Sequence, residues 1–299
     1  MKSFPFEAIE PYITMAVDQY TARYVGDLHV VLADEATAIG ADVLNKARYY
    51  LQSALTNFAF YIYFPVGSVQ IDSSGPASTV NEKRQPVGWQ QQNDIRRGFL
   101  KAGHTAMDML LALMEKNKTL FPGWAGSELY TEQTELLVNS TSTFNKYYAI
   151  FDSRQTYLAL QPSLRQLEDQ HLYVFSAELL QHLKTGVLDD VQTSLKRTLQ
   201  KALVHFTVAK ICEEGLFVIT PAGIKIQFDQ LPNDKVQEVN KDFLSTTARK
   251  AEENAGNYLA MAKRLISDNP NSFTDYPNAL PATANTVRTP NVNNAVFGM

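Results

Sequence analysis

The chain has 299 residues, with 27 basic against 31 acidic side chains for a formal net charge of −4, and is 45% hydrophobic and 19% charged. That length makes one large domain or two ordinary ones, and the apolar fraction excludes a disordered chain. The mild acidity argues against a dedicated binder of nucleic acid or anionic membrane, which carries a basic surplus. The single thiol, Cys212, can form no internal disulfide, and no Cys/His array has zinc-site spacing, so a reducing compartment is expected. Residues 1–8 hold no apolar run of signal-peptide or membrane-span length, so the expectation is a soluble, cytosolic chain with no membrane partner.

In chain order, Ile9, Ile13, Ala16, Val17, Tyr20 and Tyr24 recur at spacings of three and four and predict one amphipathic helix over 6–25. A second helix is expected from Ala41. Its apolar positions Val43, Leu44, Ala47, Leu51, Ala54, Leu55 and Phe58 run into residues 58–64, apolar nearly all round, and Pro65 with Gly67 should stop it. Residues 68–72 alternate in the manner of a short strand closed by Ser73, Ser74, Gly75 and Pro76, which makes a small hairpin plausible. After a polar stretch over 77–92, a third helix carries Ile95, Phe99, Ala102, Ala106, Met109, Leu110 and Leu113 and ends near Leu120.

The second half repeats the first. Shifted by 148, residues 43–75 align with 191–223 without a gap, pairing Leu51 with Leu199, Gln52 with Gln200, Phe58 with Phe206, Gly67 with Gly215 and Gly75 with Gly223. Upstream the offset is 151, with Pro11 on Pro162, Leu28 on Leu179 and Leu32 on Leu183. Downstream it reads as 144, with Phe99-Leu100 on Phe243-Leu244. The expected fold is therefore mainly α, with two tandem helical-bundle modules, each carrying a short β-hairpin or strand insertion, over 1–122 and 123–269. Residues 121–127 read as a turn and 128–138 as a bridging helix. Residues 270–299 read as an extended C-terminal arm, rich in Pro, Asn and Thr. Phe273, Tyr276, Leu280, Val287, Val292, Val296 and Phe297 stud it like anchors for a partner.

The chain has no phosphate-binding glycine loop, dinucleotide fingerprint, zinc-protease motif or nucleophile elbow, so no catalytic residue, metal or cofactor is expected. The five histidines are scattered. Glu168 and His171 have the Glu-x-x-His spacing of di-iron bundles, but the repeat counterparts Val17 and Tyr20 carry neither ligand. The basic pairs Lys83-Arg84, Arg96-Arg97, Lys196-Arg197 and Lys263-Arg264 are too small to grip duplex DNA outside an arrayed ring. Trp89, among Gln90, Gln91 and Gln92 in a polar loop over 85–94, is a candidate interface anchor, with folding back on its own domain as the other reading.

The opening Phe4-Pro5-Phe6-Glu7-Ala8-Ile9-Glu10-Pro11-Tyr12-Ile13, the helix over 51–58 running into a strand and glycine turn, and Gly88-Trp89-Gln90 leading into Phe99-Leu100 resemble a group of phage and prophage proteins. These are of about this length, come from Bacteroidetes and their viruses, and look like head-to-tail connector (adaptor) proteins of tailed phages. The resemblance implies a non-enzymatic virion protein of the neck, assembled in the host cytoplasm. It implies a homo-oligomeric ring of about twelve copies beneath the portal protein, in contact with tail or neighbouring ring proteins, with DNA passing non-specifically through its channel. Typical connectors are a single module, and this chain departs from them in holding two. Two other readings stay open: another tail-completion or ring protein, and a helical metalloenzyme with a site across the modules.

Overall fold

The computed structural model describes residues 6–33, 41–67, 70–72, 75–77, 88–212, 217–220, 223–226, 241–276 and 280. Apolar residues at helical spacing make the structure mainly helical. After a 3-10 turn, Phe6–Ala8, the helix expected over 6–25 is broken. It consists of α1 (Glu10–Ala16), a π-helical turn (Val17–Thr21) and α2 (Ala22–Val25), ended by Gly26 at φ +52. The widened turn sets the Tyr20 ring flat against Phe58, with centroids 4.4 Å apart. There follow α3 (Leu28–Ala33) and α4 (Ala41–Gly67), which carries Pro65 in its last turn and ends two residues beyond it. The hairpin β1 (Gln70–Asp72) with β2 (Gly75–Ala77) leads to α5 (Trp89–Lys116), antiparallel to α4. A 3-10 turn, Lys118–Leu120, and α6 (Pro122–Ala125) close the first module, where Trp124 Nε1 donates to Tyr24 O at 3.1 Å.

The bridging helix is shorter than expected. It ends as α7 (Glu128–Thr134), and Leu136, Leu137 and Val138 pass in bends through the core of the second module. Then come α8 (Thr141–Asn145), α9 (Arg154–Leu172), α10 (Ala177–Thr185) and α11 (Asp190–Ile211). The hairpin β3 (Phe217–Thr220) with β4 (Gly223–Ile226), α12 (Lys241–Asp268) and a 3-10 turn, Pro270–Phe273, complete the described chain. Ser127, Ser140, Ser153 and Ser176 cap α7 to α10 by accepting a backbone N–H three residues on, and Asp189 with Gln192 forms a capping box on α11.

The two modules correspond in element order, buried positions and hairpin register. Ile9, Ala16, Tyr24, Leu28 and Leu32 are buried, and so are Leu160, Leu167, Phe175, Leu179 and Leu183 at offset 151. At offset 148, Ala47, Leu51 and Ala54 answer Leu195, Leu199 and Ala202 in the two cores. The hairpins pair in the same register, Asp72 with Gly75 and Thr220 with Gly223. Gly223 is required there: its φ is +147, and a Cβ would sit 2.4 Å from Ala149 O. The Tyr20–Phe58 stack has its counterpart in His171 on Phe206, with centroids 3.7 Å apart.

The downstream offset of 144 is corrected to 152. Helices α5 and α12 have equal length and both end in an asparagine, Asn117 and Asn269, whose Nδ2 donates to Leu113 O at 2.8 Å and Leu265 O at 2.9 Å. Each is followed by a 3-10 turn and a buried phenylalanine, Phe121 and Phe273, 3% and 4% exposed. The start of the arm moves accordingly: residues 270–276 close the second module as 118–124 close the first.

Candidate functional site

Two places in the described structure hold clusters of buried polar groups that tie together segments from different parts of the chain. One is the joint between the modules. The other is the passage of residues 136–138 through the second module.

At the joint, α5 of the first module meets the N-terminus of α9 of the second. His104, Asp108 and Glu115 lie on one face of α5 by helical spacing. The fully buried Gln155 accepts from His104 Nδ1 at 2.7 Å, and its own Nε2 donates to His104 O at 2.9 Å. Because Gln155 Oε1 is only an acceptor, the imidazole holds its proton on Nδ1. Asp108 Oδ1 accepts the backbone N–H of Gln155 at 3.0 Å, capping α9 from the other module. Arg154 Nε bonds Glu115 Oε2 at 3.1 Å. Burial lowers His104 to about 4, outweighing the hydrogen bond to Gln155 that raises it. Burial raises Asp108 despite the N–H groups that Gln155 points at it, and raises Glu115 despite Arg154. Leu158 packs on both apolar cores, so the joint has an apolar as well as a polar part.

In the passage, every backbone group of Leu137 is held by a side chain. Its N–H donates to Glu168 Oε2 at 2.9 Å, and its carbonyl accepts from Gln200 Nε2 at 2.9 Å. Tyr157 donates its hydroxyl proton to Val138 O at 2.6 Å, and Gln133 Nε2 donates to Asn139 O at 3.1 Å. Glu168 also pairs with Lys184. The candidate metal pair is thereby separated into structural roles, Glu168 holding the passage and His171 stacked on Phe206. Among the described residues no group of three or more His, Cys, Asp or Glu side chains is placed to hold a metal ion. A groove of ≈ 370 Å³ on the outside of α4 and α5 brings together Tyr49, Ser53, Gly98, Ala102 and Met109, with Lys101 as the one charged side chain in its lining.

The predicted partner-binding residues fall into three groups. Trp89 is on the first turn of α5, not in a loop, and is 62% exposed, so it does not fold back on its own module. Phe273 is buried in the second core, and Tyr276 and Leu280 pack against it, with Tyr276 5.5 Å from His182. Phe273 is thereby a core residue of this module, a correction to its reading as an arm residue, and Tyr276 and Leu280 rest on the same core. Val287, Val292, Val296 and Phe297 lie outside the described residues. Sequence reasoning missed the joint and the passage. Gln200 had a signal in its identity with Gln52 across the repeat, whereas Gln155 had none.

The structure thus defines a tandem duplication of one helical module, with the copies joined by contacts of unlike surfaces. The chain belongs to a family described as a family of unknown function (DUF6712), which matches it twice, over residues 22–134 and 160–286. The ends of the two matches, 134 and 286, are themselves 152 residues apart, in step with α5 and α12. No curated protein matches the chain, and no solved structure matches it. Among the described residues no helix is long and apolar enough to cross a membrane.

Proposed function

We propose that the chain is a structural subunit of a virion neck, a head-to-tail connector that assembles as a homo-oligomeric ring beneath the portal and joins it to the tail. The observation that carries this reading is the heterologous character of the joint. Helix α5 meets the start of α9, and not its own counterpart α12, so the two modules use different surfaces. Contacts of that kind repeat from subunit to subunit and close into a ring when the rotation per step closes. On the second module the face that α5 uses at the joint is uncovered among the described residues, with other side chains than the joint's. On α12, the positions equivalent to His104, Asp108, Leu111 and Glu115 are Gly256, Ala260, Lys263 and Ser267, all exposed. At the other end Phe6 is 60% exposed.

The net charge of −4 suits a channel through which DNA slides, since cationic walls would hold phosphate. The portal protein and tail proteins are the partners of such a ring, and the virion neck its location. The test is the mass of the full chain by light scattering, alone and mixed with the portal protein of the same genome. A ring in either sample is the expected result. A monomer in both overturns the reading.

A further inference from the structure

The duplication supplies an internal comparison at the passage. In the second module, residues 136–144 lie across α9 and α11: Leu137, Val138 and Phe144 are buried, and Tyr157, Gln200 and Glu168 hold the backbone between them. The first module has the same scaffold with the corresponding face uncovered. Tyr157 is fully buried, whereas its equivalent Phe6 is 60% exposed. Gln200 and Val204 are buried, whereas Gln52 and Thr56 are exposed. Leu164 is buried, whereas Ile13 is half-buried. Gln52 and Gln200 are the same residue at the same place, and in the second module that amide binds the incoming backbone at 2.9 Å. Among the described residues nothing covers the face that Phe6, Ile13, Gln52 and Thr56 share, and its counterpart in the second module is a recognition site for a backbone segment.

The segment that covers the second module follows the first family match, which ends at 134. The second match ends at 286, and residues 287–297 stand in the equivalent place. Their chemistry is similar in part: Val292-Asn293 and Phe297 echo Val138-Asn139 and Phe144, at shifts of 154 and 153 against the 152 of α5 and α12. Arg288 is the one charged residue over 281–299. The open face suits such a segment, because Phe6 and Val17 stand where the second module has Tyr157 and Glu168. It offers apolar contact and the Gln52 amide, and no buried charge to be matched.

We propose that residues 287–297 of one copy cover the open face of the first module of the next copy, as residues 136–144 cover the second module within the chain. Each module then receives its covering segment from the module before it, and the last segment crosses to a neighbour. Leu280, the last described residue, packs on the second core, and the residues beyond it are long enough to reach about 60 Å when extended, enough to span a module. The inference rests on the ring reading and names its interface.

Disulfide trapping between full-length chains tests it, in a Cys212→Ala background. With Val292-Asn293 placed as Val138-Asn139, Asn291 stands where Leu137 meets Gln200, so Gln52→Cys on one chain and Asn291→Cys on another come together. Mixing the two variants under mild oxidation is expected to give a two-chain adduct that neither gives alone. A chain ending at Leu280 is expected to keep its helical circular dichroism and its thermal midpoint, but to lose the assembled mass. Absence of the adduct in the mixture overturns the proposal. A one-chain product from the Q52C/N291C double variant, with no two-chain adduct, also overturns it by showing closure on the chain's own first module. Light scattering on the same samples separates the two failures. An assembly that survives loss of residues 281–299 rejects this interface and leaves the ring, whereas a full-length monomer without adduct rejects both.

Discussion

His104 sits where the two modules meet, and its environment fixes its charge. Burial holds it neutral, with its value lowered from 6.5 to about 4. In the unfolded chain the imidazole takes up a proton as the pH falls through 6.5, while in the folded chain it does so only near 4. The unfolded state therefore binds more protons in that window, and stability is lost as the pH falls from about 6.5 to about 4, by about 3 kcal/mol for this group. Asp108 and Glu115, both raised by burial, act in the opposite sense, because the folded carboxyls take up protons before the unfolded ones. His171 and His205, lowered by burial, add to the loss. His104→Gln removes one titrating group and leaves the others in place. Denaturant unfolding between pH 7 and pH 4.5 is expected to show the variant losing less stability than the parent. Parallel profiles reject the assignment of His104 as a buried neutral base at the joint.

Phe273 decides where the second module ends. A Pro- and Asn-rich composition from residue 270 on reads as an arm, yet the turn over Pro270–Phe273 repeats Lys118–Leu120 and Phe121 and plugs the core. Phe273→Ala is expected to cost about 3–4 kcal/mol, as deletion of a buried phenyl ring does. Truncation after Asn269 should destabilise the second module at least as much, and truncation after Leu280 should leave its unfolding midpoint unchanged. Equal midpoints for all three chains would return these residues to the arm. The strand register and the helices α4 and α11 were legible because Gly75 and Gly223 stand at the same place in the two hairpins and because apolar positions match without a gap. The match of Phe99-Leu100 to Phe243-Leu244 misled because apolar dipeptides recur at many shifts along amphipathic helices. The better signal was Asn117 and Phe121, four apart, against Asn269 and Phe273. Gln155 was not legible at all, since its partners lie 47 and 51 residues away and no local pattern announces a contact between helices of different modules.

At the scale of the whole molecule, the joint sets whether two modules behave as one body. Gln155 is fully buried and exchanges three hydrogen bonds with α5, two with His104 and one with Asp108. Leu158 adds apolar contact to both cores, and Arg154 with Glu115 closes the edge. Gln155→Ala keeps the bond from its own backbone N–H to Asp108 but strands His104 Nδ1 in a dry interface, at about 1–3 kcal/mol, while the His104 carbonyl keeps its place in the α5 ladder. That cost falls on the contact between modules and not on either core, so it weakens coupling more than folding. Differential scanning calorimetry is expected to show one cooperative transition for the parent. The variant should show two overlapping transitions, with a calorimetric enthalpy exceeding the van't Hoff value. If the ring is built from heterologous contacts of this kind, a loosened joint also spreads the angle between successive modules. The variant should then assemble into a broader distribution of masses than the parent at equal concentration. A single sharp transition in the variant, shifted only in temperature, would mean that the cores alone couple the modules and that the polar joint merely adds stability.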